Sequence, residues 1–245
     1  MKRTYRLDDP PFAGRTGRGV RVAIIDSGVA MPHPHLAGVT GGASVGIDPR
    51  DDSIRVVEGV FADRIGHGTA VAAAIQEKAP EAELIAVKVF DGKLSTSAPV
   101  LAHAIRYAAE GGARLINLSL GTPNGEHAHL LEEAAAAAAK CGALILSAFE
   151  LNEAPSFPGS LPEVLGVRVD GGCARDEIRL SAHGASVLLS ASPYPRPISG
   201  VPLDRNLSGI SFAVANATGF LARLVEAADA TSPGNALRML GVDQG

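Results

Sequence analysis

Short apolar runs along this chain alternate with stretches in which alanine and larger apolar residues recur at helical spacing. Residues 20–25, VRVAII, are a β-branched run ending in Asp26-Ser27-Gly28, which predicts a buried strand followed by a turn. Residues 67–78 carry Ala and Val at helical spacing with no internal proline and predict a helix. A strand is expected over 83–90. A helix is expected over 97–110, closing at Gly111-Gly112. The same reading gives strands over 114–121, 143–148 and 163–169, and helices over 129–140, 211–228 and 235–240. The strands are apolar throughout, not at every second residue. Both their faces are therefore covered, and the strand–helix alternation predicts an α/β fold, a parallel sheet with helices on each side. In such sheets the reacting groups gather at the carboxyl ends of strands. That nominates Asp26, the stretch Ser119-Leu120-Gly121, and residues 149–152. Residues 1–19, rich in Pro, Gly and Arg, read as an irregular arm, and the whole 1–245 reads as one domain.

Composition narrows the function. The 245 residues are 46% apolar and 20% charged, enough for a sizeable core. Lys plus Arg is 22 and Asp plus Glu is 26, a formal charge of −4. Phosphate binding needs clustered Lys and Arg, so a nucleic-acid partner is not expected. Mean hydropathy is +0.17, but the apolar stretch 134–139 is bounded by Glu132, Glu133 and Lys140, too short for a membrane span. No apolar leader precedes the first strand, so a cytoplasmic location is expected. Cys141 and Cys173 then read as free thiols.

Three segments carry chemistry. Asp26 closes the first apolar strand. His67 opens a helix between Gly66 and Gly68. Ser211 opens the long helix, in Ser208-Gly209-Ile210-Ser211-Phe212-Ala213. A serine hydroxyl is a weak nucleophile and needs a base within reach. Histidine supplies that base near neutral pH, and a buried carboxylate fixes its tautomer and supports the imidazolium. A serine at a helix start also leaves its backbone N–H free to face an oxyanion. The H-x-H pairs His33/His35 and His127/His129 lack a supporting carboxylate or cysteine cluster, and no metal or cofactor is expected. Gly14, Gly17 and Gly19 precede the strand that a dinucleotide fingerprint would follow. Gly-Ile-Ser-Phe-Ala lacks the G-x-S-x-G elbow of α/β-hydrolases.

In the order Asp, His, Ser, the blocks VAIIDSG, GHGTAVAAAI and SGISFAVANATGF resemble the catalytic blocks of subtilisin-like serine peptidases. HPHL, GGAS, INLSLG and FPGSLPEVLGV fit the same family, and the resemblance runs from about Gly19 to Ala228. It implies a three-layer α/β/α sandwich around a mostly parallel sheet and peptide-bond hydrolysis by Asp26, His67 and Ser211, with Ser119, Leu120 and Gly121 lining the peptide substrate. The chain departs from the family in three places. Where the family has Ala-Ala-Gly-Asn, with the Asn amide as second oxyanion donor, this chain reads Ser147-Ala148-Phe149-Glu150-Leu151-Asn152. Counting back from Phe157-Pro158 puts Glu150 at that position, with Asn152 as the alternative if the strand end bulges. A carboxylate only accepts; its protonated form could donate. Gln76 to Glu81 joins helix to strand with no calcium loop. No propeptide is expected before the first strand. The expectation is a specialised intracellular serine endopeptidase that matures peptides. The alternative, prompted by Glu150, is a weakly active or silent binding module on the same fold.

Overall fold

The computed structural model describes residues 2–183, 186–227 and 232–242. In chain order the elements are β1 (Lys2–Arg6), β2 (Arg21–Asp26), β3 (Gly41–Ile47), β4 (Ile54–Glu58), α1 (His67–Lys78), β5 (Glu83–Lys88), α2 (Ala98–Glu110), β6 (Leu115–Leu118) and α3 (Ala128–Lys140). There follow β7 (Leu144–Ala148), the short β8 (Glu150–Leu151) and β9 (Ala154–Pro155), β10 (Val164–Val169), β11 (Glu177–His183), β12 (Ser186–Ala191), α4 (Ile210–Ala227) and α5 (Pro233–Met239). Ala228, where the expected long helix ends, lies outside the described residues.

A ten-stranded sheet runs β1-β11-β12-β10-β7-β6-β2-β5-β3-β4. From β12 to β3 every neighbouring pair is parallel; β11 and β1 at one side and β4 at the other are antiparallel. The central strand β2 shows why the apolar runs are continuous. Val22 and Ile24 pack with α1 and α4, while Ala23 and Ile25 pack with α2 and α3. All four are at most 1% exposed, so a polar residue at either parity would be buried without a partner. Around β2 the order reverses: β5 lies on one side and β6 on the other, with α1 and α2 on opposite faces. A crevice opens at such a switch point, beyond the carboxyl ends of the strands, and Asp26 stands there.

The helix α4 is the main apolar mass of its layer. Phe212, Val214, Phe220, Leu221, Leu224 and Val225 are at most 2% exposed, and each such burial contributes roughly 1.5–3 kcal/mol. α1 crosses α4 closely at Gly219, where an added Cβ would stand 2.7 Å from the Cβ of Lys78.

The structure departs from the expected arm and edges. Residues 2–6 are not irregular: they form β1, paired with β11 from Lys2↔Ser181 to Arg6↔Glu177. Phe12 is fully buried, edge-on to Phe220 at 5.1 Å and to Tyr5 at 5.9 Å, which ties the arm to the core. The Tyr5 hydroxyl donates to the Leu240 carbonyl at 2.6 Å, just past α5, and Arg3 donates to the same oxygen at 3.2 Å. The GGAS segment, residues 41–44, is the start of β3. At Gly42 a Cβ would stand 2.2 Å from the Ala86 carbonyl oxygen, so the glycine is what admits β3 beside β5.

Candidate active site

His67 is the first residue of α1, and three local features aim it. Gly66 precedes it in the left-handed region at φ 90°. The Asp63 carboxylate accepts from the backbone N–H groups of Ile65, Gly66 and Thr69 and from the Thr69 hydroxyl. It therefore closes the helix start and complements its dipole. Thr69 Oγ1 in turn accepts from the Ala30 N–H at 3.0 Å, joining α1 to the segment after β2. Gly68 lets the two elements touch. Its N–H donates to Ser27 Oγ at 2.9 Å, and a Cβ there would stand 2.2 Å from the Gly28 carbonyl oxygen. These contacts bring His67 Nδ1 to 2.8 Å from Asp26 Oδ1. Asp26 is fully buried and also accepts from the Ser27 N–H at 2.7 Å; its Oδ2 is buried with no hydrogen-bond partner. Burial alone would lower the His67 pKa. The hydrogen bond to Asp26 and the charges of Asp26 and Asp63 outweigh it, so the pKa is raised.

Ser211 lies in the first turn of α4, where backbone N–H groups have no intrahelical acceptor. The next residue, Phe212, sets its ring against His67, centroids 5.6 Å apart. The Ser211 hydroxyl donates to the Ser119 carbonyl at 3.1 Å, so its proton is not directed at the imidazole. A network holds this turn to the end of β6. Ser119 Oγ donates to the Ser211 carbonyl at 3.3 Å and accepts from Asn117 Nδ2 at 2.8 Å. The Thr218 hydroxyl, about two turns further along α4, lies 3.0 Å from Asn117 Oδ1 and 2.8 Å from the Val214 carbonyl oxygen. Asn117 and Thr218 are fully buried, and such satisfied networks fix geometry.

The Ser119-Leu120-Gly121 stretch follows β6, which ends at Leu118. The requirement for glycine at 121 is internal to the chain. An added Cβ would stand 2.2 Å from Ser156 Oγ and 2.9 Å from the Phe157 carbonyl oxygen, because residues 122 and 157 bridge there in antiparallel fashion. Ser156 is fully buried and its hydroxyl has no hydrogen-bond partner.

Glu150 and Asn152 sit on a tight hairpin. β8 pairs with β9, and Asn152 and Glu153 form its two-residue turn with φ 49° and 65°, as a type I′ connection requires. Glu150 Oε2 accepts from Arg168 Nη2 at 2.8 Å, and that guanidinium lies 4.9 Å from the centroid of the Phe149 ring. The Glu150 carboxylate, expected at the second oxyanion-donor position, is therefore paired with a cation here. That cation, Arg168, lies two strands of sequence away, and no local pattern announces it. Asn152 is exposed at the hairpin tip.

Sequence reasoning missed Asp63, Asn117 and Thr218. Asp63 had a signal, an Asx turn three residues before Gly66 at a helix start. Asn117 had a weaker one, as a lone amide inside the apolar run LINL. The rings of His33 and His35 stack edge-on at 5.4 Å. Among the described residues, no group of His, Cys, Asp and Glu could hold a metal ion, and no helix is long and apolar enough to cross a membrane.

A sequence model of the subtilase family, peptidase S8, matches residues 17–149. The chain is 33% identical over 251 residues to Thermitase of Thermoactinomyces vulgaris, covering 89% of this chain and 86% of that one. It is 31% identical over 234 residues to the Major intracellular serine protease of Bacillus subtilis (strain 168), covering 85% and 69%. Among solved structures, the Prenylagaramide maturation protease PagA superposes with a TM-score of 0.63 at 27% identity, covering 85% of this chain and 76% of that one.

Proposed function

Because this chain belongs to the subtilase family and is a serine endopeptidase acting on peptide or protein substrates, we propose that Asp26, His67 and Ser211 are its triad. The observation that carries the reading is the 2.8 Å contact of His67 Nδ1 with the buried Asp26, on the helix whose first turn faces that of Ser211. Asp26 accepts from Nδ1–H, which leaves Nε2 unprotonated to take the Ser211 proton. Ser211 Oγ attacks the scissile carbonyl, and the imidazolium then gives its proton to the leaving amine. Water repeats the sequence on the acyl-enzyme. The Ser211 backbone N–H is the first oxyanion donor, and the 150–152 hairpin carries the second. Ser119, Leu120 and Gly121 receive the acyl half of the substrate as an extended strand. The domain spans 1–245.

The protein works in the cytoplasm as a specialised maturation protease, without metal or cofactor. Support comes from the likeness to an intracellular serine protease and to a prenylagaramide maturation protease, and from the direct 76–81 connection. The test is a fluorophosphonate probe. Wild type should be labelled at Ser211, and Ser211→Ala should be neither labelled nor active; labelling elsewhere, with activity intact in Ser211→Ala, removes the assignment. A second reading, a weakly active or silent binding module, is favoured by the Glu150–Arg168 pair and by the Ser211 hydroxyl resting on Ser119. It predicts peptide binding without labelling.

A further inference from the structure

At the end of the sheet away from Asp26, a recess of about 510 Å³ lies between α2 and the early residues of β2, β3 and β5. Arg21 opens β2 and Asp26 closes it, so five residue steps, roughly 16 Å, separate this recess from the chemistry above. Small residues create the space. Gly41 of β3 is paired with Ile85 of β5 and shares its face, which packs toward α2. A Cβ at Gly41 would meet nothing within 4 Å. Ile85, Ala108 and the Tyr107 ring form the apolar wall. The Tyr107 hydroxyl donates to the Glu58 carboxylate, 2.8 and 2.9 Å from its two oxygens. Burial, then that bond and the Glu58 charge, push the phenol up to about 12, so it keeps the proton it donates.

Charge at the rim is one-sided. Glu58 and Glu110 are exposed there, and Glu110 closes α2, whose carbonyl end adds partial negative charge. Arg21, the cation of the lining, is taken up by the Gly111 carbonyl at 3.0 Å and by Glu83 at 3.5 Å. An apolar hollow with a negative rim suits an ammonium or guanidinium on an aliphatic stem, with the Tyr107 ring as a further face for the cation.

The strand beside the recess has one open side. β4 is the last strand of the ten-stranded sheet, and it ends at Glu58. The Gly59 N–H donates to the Gly42 carbonyl and the Asp48 N–H to the Ser53 carbonyl, both at 2.8 Å. In the β3–β4 register this makes 44 with 57 and 46 with 55 the bonded pairs. The N–H and C=O groups of Ile54, Val56 and Glu58 therefore point away from β3, to the open edge. Such an edge takes an added strand. A residue set opposite Glu58 projects its side chain to the face of Glu58 and Tyr107, where the recess opens. We propose that this edge and recess are a docking site for an extended segment of the peptide substrate, remote from the scissile bond, that carries a lysine or arginine. Backbone bonds to β4 supply affinity, and the recess selects the basic side chain. The proposal rests on the reading of the chain as an endopeptidase with the Asp26–His67–Ser211 triad and adds to it a substrate class: peptides with a basic segment apart from the cleaved bond.

The probe is a fluorescein-labelled peptide, Thr-Val-Thr-Lys-Thr-Val-Thr, titrated into the full chain carrying Ser211→Ala and followed by anisotropy. It should bind about tenfold or more tightly than the same peptide with Ala or Glu in place of Lys. Gly41→Leu, which fills the recess, and Glu58→Gln with Glu110→Gln, which discharges its rim, should each bring that ratio toward unity. N-methylation of one alternate set of peptide amides should weaken binding and of the other set should not, because only one set faces β4. Equal affinity of the three peptides overturns the proposal, as does binding that neither N-methylated set weakens. Spermidine binding as tightly as the Lys peptide also overturns it and gives the recess to a free amine. In wild type, the Lys segment is joined to a cleaved sequence through a Gly/Ser linker of about 20 residues, which spans roughly 25 Å. It should lower KM several-fold with kcat unchanged, and Gly41→Leu should cancel the gain. Binding to Ser211→Ala with no cleavage of any peptide by wild type leaves the site standing and removes the triad. Cleavage with KM indifferent to the linked segment sinks the docking site and spares the triad.

Discussion

At the level of single residues, His67 does two things that pull against each other with pH. Its raised pKa means the folded protein binds the imidazolium more tightly than the unfolded chain does. The resulting stabilisation is fully present below about 6.5, the ordinary imidazole value, and is lost as pH climbs through the higher folded value. Catalysis runs the other way, because the base must be neutral. The rising limb of kcat/KM is therefore expected above the ordinary imidazole value. Asp26→Asn should lower kcat on the order of 10⁴-fold and move that limb to lower pH, since the charge that raised it is gone. A pH–rate profile of both proteins checks this; an unmoved limb would assign it to another group. The hairpin residues give a second comparison. With Glu150 held by Arg168, the amide of Asn152 is the better donor of the two. Asn152→Ala should cost about 10²–10³ in kcat, with little change in Glu150→Gln. A gain in Glu150→Gln at neutral pH, with Asn152→Ala unaffected, would give the position to Glu150.

Between elements, the crossing of α1 and α4 buries an ammonium group. Lys78 is 2% exposed. Burial, helped by the nearby Arg175, lowers its pKa to about 8, and Glu77 only partly opposes this. For Glu77 the balance is reversed. Burial would raise it, but Arg175 and Lys78 together hold it at about 2. The asymmetry is one of partners: Glu77 has two cations, one of them Arg175 at 3.0 Å, while Lys78 shares its single carboxylate. Between about 8 and its ordinary 10.5 the unfolded chain holds the Lys78 proton and the folded one does not. This group's contribution to stability therefore rises with pH through that window. Lys78→Met should raise the stability at pH 7 by at most ~3 kcal/mol, less the loss at Glu77, read as a higher Tm, with the gain fading toward pH 10.5. A lower Tm at pH 7 would mean the ion pair outweighs its burial. No sequence pattern announces this lysine as buried. What was legible at this scale was whatever repeats locally: α1 to α3 begin and end, and α4 begins, within a residue of their expected limits, because one apolar face fixes them. β3, β4, β11 and β12 escaped the reading because strands toward the sheet margins carry polar residues between apolar ones, as in Ile178, Leu180 and Ala182 of β11. Likewise Asp26 and His67 stand out as polar residues at element ends. Asn117, Thr218 and Arg168 act through partners far away in sequence.

The molecule as a whole places its strand ends and helix starts on one side of the sheet, so the groups around Asp26 come from segments spread over most of the chain. Its parallel centre needs those long connections, and its antiparallel margins are built from shorter ones. One margin has a further consequence. The hydroxyl of Tyr5, on the outermost strand β1, reaches the Leu240 carbonyl that follows α5. The last described segment therefore supplies the acceptor for two donors of the first, Tyr5 and Arg3, and opening either exposes the other. They should behave as one cooperative unit of local unfolding, the lowest in free energy, while α1 and the central strands open only with the whole. In hydrogen–deuterium exchange the amides of β1 and α5 should lose protection together. Tyr5→Phe should speed exchange in both and leave α1 unchanged; faster exchange in β1 alone would show that the two ends open independently.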